Sequence, residues 1–189
     1  MSVLLRPGIP PDQLSPLAIL AADAVAAAVE DLFGLATEIK WPNDVLVHGG
    51  KLSGILIQAR ASGLIVGIGV NSNVEAAVLP PGAASLRAEL ERVVDQDALR
   101  TAILDRLAAR YQALTEGAVA PYWRSVEDRL ALRGASVSVV EADARVTGSL
   151  LGIDPTGALR LRLDDGRERR ILSGDLIRGP RPAALPTPD

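Results

Sequence analysis

The sequence predicts an α+β protein in two parts: helices packed on a mixed or antiparallel sheet over residues 1–133, then a small SH3-like β-barrel over residues 134–180. Three observations carry this reading. Two long apolar-periodic helical runs flank a cluster of strand segments punctuated by glycine. After Gly134 the pattern changes to short strands with closely spaced turns. Residues 181–189 are rich in proline and predict a disordered tail.

In chain order, Ser2 to Leu5 reads as a strand that ends at Pro7. Ser15-Pro16 offers an N-cap and a proline at the first helical position, and the apolar run continues to about Phe33 before Gly34. A strand from Thr37 to Lys40 runs into Trp41-Pro42, where proline interrupts ladder bonding. Val45 to Val47 and Lys51 to Ala59 form a hairpin around His48-Gly49-Gly50, and Leu64 to Val70 adds a third antiparallel strand. A helix from Asp97 to Glu116 follows, with Leu99, Ile103, Leu107, Tyr111 and Leu114 at helical spacing, and Pro121 opens a shorter one through Asp128. The barrel strands are Ser136 to Val140, Ala144 to Ile153, Ala158 to Leu163 and Glu168 to Ser173. Asp154-Pro155-Thr156-Gly157 and Asp164-Asp165-Gly166 turn the chain between them.

Composition removes several kinds of chemistry. With no cysteine there is neither a thiolate nucleophile nor a disulfide, and one histidine cannot build a multi-histidine metal cage. A net charge of −3 supplies no general attraction to nucleic acid. No run of about 18 apolar residues suggests a membrane span, and the first residues are too short an apolar run for a signal peptide, so the expected location is cytoplasmic.

The two lysines, Lys40 and Lys51, stand out against eighteen arginines. Both lie in Lys40-Trp41-Pro42-Asn43-Asp44-Val45-Leu46-Val47-His48-Gly49-Gly50-Lys51-Leu52-Ser53-Gly54. Arginine presents a planar fork and lysine a compact point charge, so lysine kept in an arginine background marks places where the ammonium is needed. Pairing Val47 with Lys51 around a three-residue turn would set Val45 opposite Ser53 and Asn43 on the face of Lys51. Asp44 would then fall on the other face, unless the proline-broken loop turns it inward. Gly54 would let a ligand approach the backbone. By residue type alone, the same stretch also reads as a solvated turn beside an edge-strand lysine.

This stretch closely resembles the signature of the biotin protein ligases. The resemblance continues through Gly67-Ile68-Gly69-Val70-Asn71-Ser72-Asn73, the Ala120-Pro121-Tyr122-Trp123 helix start and the C-terminal barrel. It implies a class II synthetase-like core that activates biotin with ATP and Mg²⁺ to biotinyl-5′-AMP. The biotinyl group would then pass to a lysine of a biotin carboxyl carrier protein. Under that resemblance Lys51 and Asp44 are the catalytic residues, and Trp41, Lys51, Leu52, Ser53 and Gly54 contact biotin or the adenylate. Lys40, Asn43, Asp44, Asn71 and Asn73 face nucleotide and Mg²⁺, the metal arriving on the nucleotide without a dedicated protein site. Asp44 as base toward the acceptor lysine is weighed against a turn-capping aspartate. His48 is given no chemistry, and Arg167, Arg169 and Arg170 read as a solvated strand.

Ligases of this family also carry, upstream, a Gly-Arg-Gly-Arg loop that closes over the adenylate, and no such motif occurs here. The chain is therefore expected to lack the N-terminal part of the catalytic domain, to expose an unpaired sheet edge, and to be impaired in activity. The alternatives are a noncatalytic carrier- or nucleotide-binding fragment and a relative of the lipoate ligases. No membrane or nucleic-acid partner is expected of this chain, and a homodimer is left open.

Overall fold

The computed structural model describes residues 1–141 and 144–179, so the expected tail at 181–189 lies outside the described residues. Ser2–Leu5 (β1), Glu38–Lys40 (β2), Asp44–Val47 (β3), Gly50–Arg60 (β4) and Gly63–Val70 (β5) form one sheet in the order β1-β5-β4-β3-β2. Every pairing in it is antiparallel. Four α-helices accompany it: Leu17–Phe33 (α1), Leu86–Leu90 (α2), Gln96–Thr115 (α3) and Ala120–Asp128 (α4). Ser136–Glu141 (β6), Ala144–Ile153 (β7), Leu159–Arg162 (β8), Glu168–Ile171 (β9) and Asp175–Arg178 (β10) make the C-terminal sheet, ordered β10-β6-β7-β8-β9.

α1 is the centre of the helical layer. It packs on β2, β3 and β4 along one side and on α3 and α4 along the other. A helix covered on two sides must be apolar nearly all round, and alanines let both neighbours approach closely. Ala21, Ala22, Ala24, Ala26 and Ala28 are all sealed from solvent. Asp23 is sealed in the same helix and is paired rather than bare: Arg110 Nη2 of α3 lies 2.6 Å from Oδ2, and Ser125 Oγ of α4 donates to Oδ1 at 2.6 Å. A buried carboxylate is tolerated only with such partners. Arg129 reaches the same carboxylate and also clasps Glu30, while Arg110 lies over the Tyr122 ring.

Several local expectations change. α1 starts at Leu17 after a 3-10 turn at Pro11–Leu14, so Pro16 rather than Ser15 takes the N-cap position. α2 was not foreseen, because five residues are too few to display helical periodicity; Ser85 caps it by accepting from the Ala88 amide at 3.1 Å. β10 was also missed, since only Leu176 of its four residues is buried.

The two edges of the main sheet differ. β2 is covered, because Ile39 exchanges backbone hydrogen bonds with Arg129 and Ala131 at 2.8 and 2.9 Å. The outer edge of β1 pairs with no strand among the described residues. One apolar core runs from α1 through the sheet to barrel residues such as Val137, Leu150 and Leu161.

Candidate active site

The hairpin differs from its expected register, and the difference builds the site. Val47 pairs with Gly50 rather than Lys51, around a two-residue turn in which His48 and Gly49 both take positive φ, 49° and 79°. Such a turn matches the twist of the flanking strands. A bulge then restores the expected pairing of Val45 with Ser53, leaving Leu52 as the extra residue of β4. An inserted residue re-aims the side chains beside it. Lys51 accordingly lands on the face of Asp44, its Nζ 2.6 Å from Oδ1. The expected partner on that face, Asn43, instead gives its amide to the Ile55 carbonyl at 2.6 Å.

Cross-strand register lays out the rest of this face. Lys40, Asp44, Gly54 and Gly69 form one row across four strands. Leu56, Gly67 and Ser2 form the next. The opposite face, with Val45, Ile55, Val66 and Ile68, is buried. Leu56 is 59% exposed, so the lysine-bearing face is open. Gly54, Gly67 and Gly69 make its floor from bare backbone. A Cβ at Gly54 would stand 3.2 Å from Lys51 Cε, whereas one at Gly69 would find nothing nearer than the Gly54 carbonyl at 3.9 Å. The floor was only half anticipated, though Gly67 and Gly69 repeat at the period of a strand face.

Lys51 is anchored by its backbone, and its half-exposed tip meets Asp44. Its N–H donates to the Gly82 carbonyl at 2.8 Å, and its carbonyl accepts from Ala84 at 2.9 Å. This clamp requires Gly50, where a Cβ would meet Ala84 Cβ at 3.0 Å. The side chain is 51% exposed and that of Asp44 only 16%. Asp44 Oδ1 is buried and receives no aligned hydrogen bond, so the ammonium approaches it as a charge at 2.6 Å. A cation with one flexible tether can turn to an incoming anion, uncovering a carboxylate oxygen as it does so.

The other expected site residues divide. Asn71 Nδ2 donates to the Ala84 carbonyl at 3.0 Å, and Asn73 is engaged at both ends by the Val94 backbone, at 3.0 and 2.9 Å. Asn71 thus holds the loop that clamps Lys51, and Asn73 holds the segment that leads into α3. Leu52 and Ser53 point into the helical side, where Ser53 Oγ donates to the Gly69 carbonyl at 2.7 Å. Trp41 is 2% exposed and packs in the core, its indole donating to Gly157 of the barrel at 2.9 Å. Lys40 stands in register with Asp44. Among the described residues, no group of three or more acidic or histidine side chains could hold a metal ion. A recess of about 350 Å³ between β5 and α3, lined by Met1, Val70, Gln96 and Arg100, lies apart from both lysines.

A helix-backed antiparallel sheet with a charge pair over a glycine floor is joined to a small barrel, which makes a two-part architecture. The Biotin/lipoate A/B protein ligase family matches residues 1–74, and the Biotin protein ligase C terminal domain matches residues 134–179. The biotin–[acetyl-CoA-carboxylase] ligase of Paracoccus denitrificans is 38% identical over 185 residues, covering 88% of this chain and 75% of that protein. The bifunctional ligase/repressor BirA of Bacillus subtilis is 30% identical over 188 residues, covering 95% of this chain and 58% of that protein. The solved biotin protein ligase of Aquifex aeolicus in complex with biotin and ATP superposes with a TM-score of 0.84 at 26% identity, over 94% of this chain and 77% of that one. The chain belongs to the biotin protein ligase family. It spans 58% of the length of the Bacillus relative.

Proposed function

We propose that the chain activates biotin with ATP to biotinyl-5′-AMP and passes the biotinyl group to a lysine of a biotin carboxyl carrier protein. The observation that carries this is the Lys51 ammonium, standing over the bare Gly54 to Gly69 backbone and held at its tip by Asp44. A small bicyclic ring system can lie on glycine and Leu56, with the carboxylate at the end of its side chain reaching Lys51. The proposal rests further on likeness to the Paracoccus ligase and to the Aquifex enzyme with biotin and ATP.

In the first step a biotin carboxylate oxygen attacks the α-phosphorus, and the bond to pyrophosphate breaks. Negative charge gathers on the α-phosphoryl oxygens, where a fixed cation stabilises the transition state most. Lys51 fills that role after leaving Asp44. The uncovered Asp44 oxygen, together with the side-chain amide oxygens of Asn43 and Asn71, would offer anionic and neutral contacts to nucleotide-borne Mg²⁺, which binds through few protein carboxylates. Lys40 adds a second cation on the Asp44 row. In the second step the carrier lysine attacks the acyl carbon, AMP departs, and Asp44 takes the amine proton. The need for ATP supports a cytoplasmic location for this proposed reaction.

The test incubates the purified chain with biotin and Mg-ATP and compares it with Lys51→Ala. Adenylate formed by the wild type and lost in the variant is the expected result. Absence of adenylate from both would replace this reading with a noncatalytic binding fragment. Preformed adenylate offered to Asp44→Asn tests the base: an undiminished second step would remove Asp44 from that role.

A further inference from the structure

Resting on the reading of Lys51 and Asp44 as the working pair, a further inference concerns what delivers Asp44 to its place. The chain has two tryptophans, and both indoles donate to the same barrel hairpin: Trp123 to the Ile153 carbonyl at 3.3 Å and Trp41 to that of Gly157 at 2.9 Å. Trp123 joins α4 to the barrel. Trp41 stands immediately before the loop that carries Asn43 and Asp44.

The turn that Trp41 contacts is unusually well determined. Asp154 Oδ1 accepts from the Thr156 amide at 2.8 Å, from the Thr156 hydroxyl at 2.5 Å and from the Ala158 amide at 3.3 Å. Its other oxygen receives Arg170 Nε of β9 at 2.5 Å, and Arg170 Nη2 also reaches Thr156 Oγ1 at 2.9 Å. Gly157 closes the turn at φ +85°, and a Cβ there would stand 3.2 Å from the Ser15 carbonyl and 3.3 Å from Pro16 Cα. Only glycine combines that backbone with that approach. The Gly157 carbonyl is thus held between the barrel and the start of α1. At the far end of the loop, Asn43 is fixed to β4 by its side chain and by the Ile55 amide, which donates to its carbonyl at 2.9 Å.

We propose that the β7–β8 turn is a positioning element of the active site. Asp154 sets the turn, the Gly157 carbonyl sets the Trp41 indole, and Trp41 sets the loop that brings Asp44 to Lys51. The barrel then contributes to catalysis through geometry, without touching substrate at this turn. Asp154 and Trp41 are positioning residues on this view. The rival explanation is that they merely hold the two parts of the fold together.

Two lysines in the chain make the distinction measurable. Protein labelled with ¹⁵N-lysine gives two side-chain ammonium signals, and Lys40→Arg identifies that of Lys51. Asp154→Ala, Trp41→Phe and the double variant are compared, with Arg167→Ala in the neighbouring exposed turn as control. The expected result is a displaced Lys51 signal in each single variant and a fall of about tenfold in adenylate formation at unchanged biotin KM. The double variant should lose no more than the worse single one, because both act along one path. The control should match the wild type. An unmoved Lys51 signal accompanied only by a lower melting temperature would overturn the proposal, as would losses that multiply in the double variant. If even the wild type makes no adenylate, the lysine signal still decides, so the two readings fail separately.

Discussion

Arg110 donates from Nε to Asp23 Oδ2 at 2.7 Å and sets its Nη2 2.6 Å from the same oxygen as an ion pair, with both side chains nearly sealed from water. Asp23 Oδ1 meanwhile takes the Ser125 hydroxyl and Arg129. One aspartate on α1 therefore ties α3 and α4 to the helix that backs the sheet.

Removing Asp23 leaves a buried guanidinium without its counter-charge, a loss worth about 3–5 kcal/mol in comparable sites. Asp23→Ala is expected to unfold at much lower urea concentration than the wild type. Replacing Arg110 by methionine in the same variant should recover part of the loss, since no buried charge is then stranded. Equilibrium urea denaturation of the single and double variants measures both.

Lys51→Ala should slow adenylate formation by on the order of 100-fold or more, the usual cost of removing a preorganised donor at developing charge. Lys51→Arg should not restore it, because a wider planar fork cannot stand over Gly54 as the ammonium does. Single-turnover adenylate formation is the measurement, with melting curves to establish that both variants fold.

Gly69→Val separates binding from folding. Its Cβ would meet no atom closer than the Gly54 carbonyl at 3.9 Å, so the sheet should tolerate it, yet the branched side chain fills the open floor. Calorimetric titration with biotin should show an affinity loss of about tenfold or more, equivalent to some 1.4 kcal/mol. An unchanged circular dichroism melting curve should accompany it.

Acid should loosen the joins between layers. Burial pushes the carboxyls of Glu30 and Asp154 up, but hydrogen bonds outweigh it: from Arg129 and Thr37 in the first case, from Thr156, Arg170 and Ala158 in the second. Both groups are held below their usual range. A depressed folded-state pKa stabilises the fold above the unfolded value, near about 4 for a carboxylate, and that contribution is lost as pH falls through the folded value. Urea midpoints should therefore decline from about pH 4 downward, and more gently in a Glu30→Gln, Asp154→Asn variant.

Much of this molecule could be read from residue order, and the failures share a cause. α1, α3 and β5 announce themselves because their periodicity is long, and Gly34 ends α1 where expected. The signature from Lys40 to Gly54 points to the candidate site. Its internal geometry was hidden, because a turn shortened by one residue and a bulge at Leu52 cancel by Ser53. Pattern alone sees the restored register and not the detour that brings Asp44 to Lys51. The anchoring of Trp41 was hidden for a different reason. Its hydrogen-bond partner lies 116 residues away in the barrel, a separation that local pattern cannot report.

The scarcity of lysine has a chemical consequence. The two lysines, Lys40 and Lys51, lie in adjoining parts of the open face, on the row of Asp44 and beside it. An acylating agent meets arginine elsewhere on this surface, and guanidinium does not compete as a nucleophile at neutral pH. An amine-directed reagent would therefore report almost entirely on a single face.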